Sequence, residues 1–115
     1  MVIVNGAAAP AATALRELGS PEYVQDVIRL IAEQARKVLP IDRVILFGSR
    51  AWGDFRANSD IDLAFDHRGT EQAWANFINE LHDSARTLLE LDLVDLRSAP
   101  LALRSKILAE GRVVA

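Results

Sequence analysis

The chain has 115 residues, half of them apolar and a quarter charged, with a formal charge of −3; this is the make-up of one ordinary globular domain. It has no cysteine and two histidines, His67 and His82, which excludes disulfides, thiolate metal sites, cysteine nucleophiles and a histidine-rich centre. The basic residues are scattered, with Arg36-Lys37 the longest run, so a strong electrostatic grip on DNA or RNA is not expected.

No apolar stretch approaches the ~20 residues of a membrane span. No Lys or Arg precedes the apolar part of Met1 to Pro10, so no signal peptide is expected and a cytoplasmic location is the default. Residues 1–19, rich in Ala and Gly, read as a flexible arm, with a short helical piece around Ala11 to Leu18. Residues 20–115 read as a single domain.

Ser20-Pro21-Glu22 is a helix start: a cap, a proline suited to the first turn and an acid that complements the dipole. Val24, Val27, Ile28, Ile31, Ala35 and Val38 follow at helical spacing, and Pro40 ends the helix. Arg43 to Phe47 is a short β-branched apolar run, the pattern of a buried strand. Gly48-Ser49 breaks it, Arg50 to Phe55 holds a turn of helix, and Ala57 to Ser59 is loop. Asp60 to Phe65 reads as a second strand. Gly69-Thr70 opens a helix whose Trp74, Phe77, Ile78, Leu81, Ala85, Leu88 and Leu89 form one core-facing stripe. Leu91 to Leu96 is a third strand, Ser98-Ala99-Pro100 starts a last helix, Gly111 stops it, and Arg112 to Ala115 adds a short edge strand. The expected fold is α/β of the α+β type: a small mixed or antiparallel sheet with helices on one face. The short link between the first two strands makes them antiparallel.

The chemistry lies in Gly48-Ser49 and, ten residues on, Asp60-Ile61-Asp62. Gly48 lets backbone approach a phosphate closely. Ser49 adds a hydroxyl, and the turn after it can aim N–H groups at anionic oxygens. Arg50 is a candidate triphosphate contact, with a surface arginine the plain alternative. Asp60 and Asp62, two apart on a strand, leave the same face. Carboxylates that close repel unless a cation lies between them, and hard oxygen ligands suit Mg²⁺ with substrate phosphates as further ligands. Two such ions can clamp the oxygens of an in-line displacement.

A third carboxylate is wanted from a neighbouring strand. Asp92 and Asp95 are three apart and point to opposite faces, so only one can join; Asp92 is chosen, with Asp95 placed at the strand end in solvent. Trp52 is read as packing beside the loop, with stacking on a base as the alternative. His67 and His82 are read as surface residues. Rival motifs fail: Gly48 to Gly53 has Walker-like spacing but lacks the Lys-Ser/Thr, and an EF-hand loop from Asp60 would need glycine where Phe65 stands.

These residues resemble the signature of the DNA polymerase β-like nucleotidyltransferase superfamily. The wider stretch, FGSRAWGDFRANSDIDLAF followed by LDLVDL, looks like its minimal nucleotidyltransferase branch, similar to MntA-type antitoxins. The resemblance spans roughly Ile41 to Gly111, with the first helix included, and Trp52 departs from the small or basic residue often found at its place. It implies Asp60, Asp62 and Asp92 as metal ligands and catalytic residues for two Mg²⁺ ions, with Gly48, Ser49 and Arg50 holding ATP. It also implies transfer of AMP to a tyrosine of a helical HEPN-type partner in a hetero-oligomer, in the manner of a toxin–antitoxin pair. A palm of this size has no room for a template groove. The competing expectations are a binding module that neutralises its partner by occlusion, and a nucleotidyltransferase acting on a small molecule.

Overall fold

The structure, a computed structural model, describes residues 2–4, 21–52, 60–84 and 90–115. Ser20, the helical piece at Ala11 to Leu18, the loop Gly53 to Ser59, and Ala85, Leu88 and Leu89 lie outside the described residues, as do the side chains of Trp52 and His82.

The first helix, α1 (Pro21–Val38), buries Tyr23, Val24, Val27, Ile28, Ile31, Ala32 and Ala35, spaced three and four apart, which is the stripe that a core-facing helix needs. Pro40 follows its last turn and the chain enters β2 (Ile41–Phe47) directly. A one-turn helix, α2 (Ser49–Trp52), precedes the loop to β3 (Ile61–His67). Helix α3 (Glu71–Ser84) leads to β4 (Leu91–Asp95), and a 3₁₀ turn at Leu96–Ser98 to α4 (Leu101–Glu110) and β5 (Arg112–Val113). Thr70 caps α3, its Oγ1 accepting from the Ala73 N–H at 3.0 Å, an interaction worth about 1 kcal/mol.

Val2–Val4, which the sequence places in the arm, forms a strand of its own, β1. It runs antiparallel to β4, with Ile3 opposite Asp92. The five strands stand in the order β1-β4-β3-β2-β5. β2 and β3 are antiparallel, as their short connection requires, while β3 and β4 are parallel because α3 carries the chain back across the sheet. At the opposite edge the C-terminal residues extend the β5 pairing: Val44 N–H donates to the Ala115 carbonyl and Val114 N–H to the Val44 carbonyl, both at 2.9 Å.

Alternation along the strands separates two cores. Val44, Leu46, Ile61, Leu63, Phe65, Leu91 and Leu93 face α1 and α3. There Phe65 packs against Phe77 at 5.5 Å and Trp74 at 5.4 Å between ring centroids. Ile45, Phe47, Ala64 and Val94 face the other way and meet Ile107 of α4. The one-face arrangement therefore holds for α1 and α3, whereas α4 covers part of the second face beside β2. Gly111 ends α4 with φ −72°, an ordinary value. What demands glycine there is proximity: a Cβ would come within 2.5 Å of both the Ile107 carbonyl oxygen and Ile45 Cγ2.

Candidate active site

β2 delivers Phe47 opposite Asp62 of β3, and at that point the chain turns through Gly48, whose φ of +74° favours glycine. A side chain at Gly48 would collide with the Asp62 carboxylate and sit 3.3 Å from Asp62 Cβ. Asp62 thus lies against bare backbone, and the turn closes with Ala51 N–H donating to the Gly48 carbonyl at 3.1 Å. The close approach read from the sequence is present, and its immediate occupant is the carboxylate.

Asp92 is the parallel-register partner of Asp62, so the two carboxylates leave neighbouring strands on the same face. Both are half-buried. Burial, the charge and hydrogen bond of Asp92, and the charge of Asp60 raise the Asp62 pKa from its ordinary value to about 6, against the opposing pull of Arg50. Burial and Asp60 raise Asp92 as well, although its hydrogen bond with Asp62 acts the other way. Asp92 Oδ1 is buried with no hydrogen-bond partner. Asp60, just ahead of β3, is exposed, and among the described residues no three acids or histidines converge as a finished metal cage.

An orphaned buried carboxylate oxygen beside a second acid of raised pKa is the donor set that a hard divalent cation relieves. The residues present therefore fit Mg²⁺. Arg50, on α2, is not a surface residue: it is 5% exposed. Burial pulls its guanidinium pKa below the ordinary arginine value, while Asp60 and Asp62 act to hold it up. The clue was in the sequence, where Arg50 is the basic residue that follows Gly48-Ser49 ahead of two clustered acids.

Two expectations are corrected. Asp95 is not in solvent; it is 9% exposed at the end of β4. It caps the 3₁₀ turn, its Oδ1 accepting from the Arg97 N–H at 3.2 Å. His67 is not a surface residue either; it is 1% exposed and stacks on Trp74 at 5.4 Å with the rings 11° apart. Its Nδ1 accepts from the Gly69 N–H at 3.0 Å. Its Nε2 stands 3.1 Å from Asp95 Oδ1 but misses hydrogen-bond alignment, so that contact is one of proximity. Arg97 completes the group, with Nη2 donating to the Gly69 carbonyl. No local pattern announces this cluster, because its members come from the ends of two strands and the turns beyond them.

The chain belongs to the polymerase beta nucleotidyltransferase family, which matches residues 29–115. No curated protein matches it significantly. Among solved structures it is similar to a toxin–antitoxin with AMP-PNP, at 27% identity and TM-score 0.57, covering 79% of this chain and 72% of that one. It is also similar to a minimal nucleotidyltransferase, at 28% identity and TM-score 0.50, covering 86% and 97%. A third likeness, of fold alone, is to a complex from Shewanella oneidensis of a tri-AMPylated HEPN toxin with its MNT antitoxin, at 22% identity and TM-score 0.51, covering 82% and 71%. The fold is that of MntA-like antitoxins of HEPN toxin pairs.

Proposed function

We propose that this chain transfers AMP from ATP to a hydroxyl of a partner protein, a tyrosine of a HEPN-type toxin, and thereby acts as its antitoxin. The observation that carries the proposal is the Asp62–Asp92 pair, half-buried side by side against the Gly48 turn with one oxygen unanswered. The neighbours supply the acceptor class: one is a toxin–antitoxin with an ATP analogue, and another contains an AMPylated HEPN toxin.

Asp60, Asp62 and Asp92 would hold the two Mg²⁺ ions, which supply charge neutralisation at the α-phosphate. The chain's own residues do the rest. Gly48 and Ser49 offer backbone and hydroxyl to the triphosphate oxygens. Arg50 holds a positive charge beside Asp60 and Asp62, where charge builds in the transition state. The acceptor oxygen attacks the α-phosphorus as the bond to the pyrophosphate oxygen breaks. Asp92 takes the hydroxyl proton, and pyrophosphate leaves.

The test is transfer from α-labelled ATP with Mg²⁺ to the co-expressed helical partner, wild type against Asp62→Asn. Label on the partner that vanishes in the variant is expected. Tight binding of the two proteins without label in either case would leave a binder that acts by occlusion, and label on a small acceptor without the partner would leave a small-molecule transferase.

A further inference from the structure

On the α1 side of the sheet, away from the face that carries the acid pair, a groove of about 620 Å³ runs between α1 and the C-terminal strand. That volume lies within the range of sites for small organic ligands. Its apolar floor includes Val24, Ile28, Leu46 and Val114. Four arginines line it, Arg29, Arg36, Arg50 and Arg112, against a single acidic side chain, Glu33. The placement follows from periodicity. Arg29 and Arg36 are seven apart, two turns along one flank of α1. Arg112 stands opposite Leu46 in the β2–β5 ladder and so shares the face of that floor residue.

Arg50 reaches the groove from α2 and is nine-tenths buried. Arg29 is engaged by Asp26 at 3.5 Å on the exposed side. Arg36 and Arg112 make no ion pair among the described residues. Two exposed guanidiniums with no ion pair among the described residues, lining one groove together with the buried Arg50 and an apolar floor, suit a ligand with several negative charges and a flat apolar body.

We propose that this groove binds a nucleoside polyphosphate without metal, at a site separate from Asp60, Asp62 and Asp92. The phosphates lie between Arg36 and Arg112, and the base rests on the apolar floor. Arg50, which also feels Asp60 and Asp62, is the wall shared by the groove and the acid pair. The proposal does not depend on AMP transfer.

Titration with ADP in EDTA separates the two sites, because without Mg²⁺ the three acids repel phosphate whereas the arginines do not. The expected result is one ADP per chain, weakened at least about tenfold by R36A/R112A and changed less than about threefold by Asp62→Asn. Both arginines are exposed, so the double variant keeps its fold, which an unchanged melting curve verifies. Inorganic pyrophosphate is expected to bind more weakly than ADP, because it leaves the floor uncovered. No ADP binding in EDTA, binding indifferent to R36A/R112A, or binding changed more than about threefold in either direction by Asp62→Asn would each overturn the proposal, the last by placing the nucleotide at the acid pair. A concentration-dependent dimer that R36A/R112A dissolves, without ADP binding, would assign the groove to a second copy of the chain.

Discussion

The parallel pair β3 and β4 carries acids shielded from solvent, half-buried at one end and buried at the other, and the two ends are treated in opposite ways. At the far end Asp95 meets His67, the Arg97 N–H and, at 4.0 Å, the Arg97 guanidinium. At the near end Asp62 meets Asp92, and Asp92 Oδ1 meets nothing. Acids elsewhere follow the far-end pattern: Asp66 has Arg43 at 2.8 Å and Asp42 has Arg68 at 3.1 Å. A carboxylate answered by the protein's own cations holds the fold together. A pair whose charges oppose each other is, on the proposed function, where a cation would be held.

Exchanging the two ends is the strongest way to break the comparison. Asp62→Asn should lower AMP transfer by about three orders of magnitude, read as label on the partner, with the fold retained in circular dichroism. Asp95→Ala should leave transfer within a few-fold of wild type and instead cost about 1 kcal/mol of stability in urea unfolding, since it removes the cap of the 3₁₀ turn. Equal loss of transfer in both variants would defeat the distinction. Gly48→Ala falls between them in transfer. The positive φ and the collision with the Asp62 carboxylate should cost about 2 kcal/mol and reduce transfer more than Ser49→Ala does, since it displaces Asp62.

A pH titration sharpens the comparison further. Asp62 has a folded pKa of about 6, above its ordinary value of 3.8, so between those values the folded protein binds more protons than the unfolded chain. Metal-free stability should therefore fall as pH rises from 4 to 6 and level off above, the reverse of a salt-bridged acid. For a half-exposed pair the drop should be about 1 kcal/mol after solvent screening is discounted. Asp62→Asn should flatten the slope, and Mg²⁺ should raise the melting temperature above pH 6 but not at pH 4. The smallest effect belongs to Arg43→Ala, whose partly exposed pair with Asp66 should contribute less than about 1 kcal/mol.

Most of the frame was legible because it is periodic. The α1 stripe apart from Val38, which is exposed, the α3 stripe as far as Leu81, the strand at Arg43 to Phe47 and the antiparallel β2–β3 hairpin all follow from residues near one another in sequence. Asp92 was legible too, since its spacing from Asp95 forces a choice of face, and the register sets it beside Asp62. Three features depend on long-range pairing and leave no local trace. Val2–Val4 is a strand only because β4 offers an open edge. His67 is buried only because Trp74 and Asp95 close over it. The sequence also does not distinguish an acid that will find a cation from one that will not: Asp92 and Asp95 sit in the same apolar run, and their environments decide the difference.

The parallel pairing of β3 with β4 has a consequence for how the site comes into being. Asp92 lies 30 positions after Asp62, beyond all of α3, and the two meet only when the crossover is complete. A nascent chain that has made β2, Gly48 and β3 has Asp60 and Asp62 but not Asp92. On the proposed function, the three-acid site is therefore completed only when β4 docks beside β3.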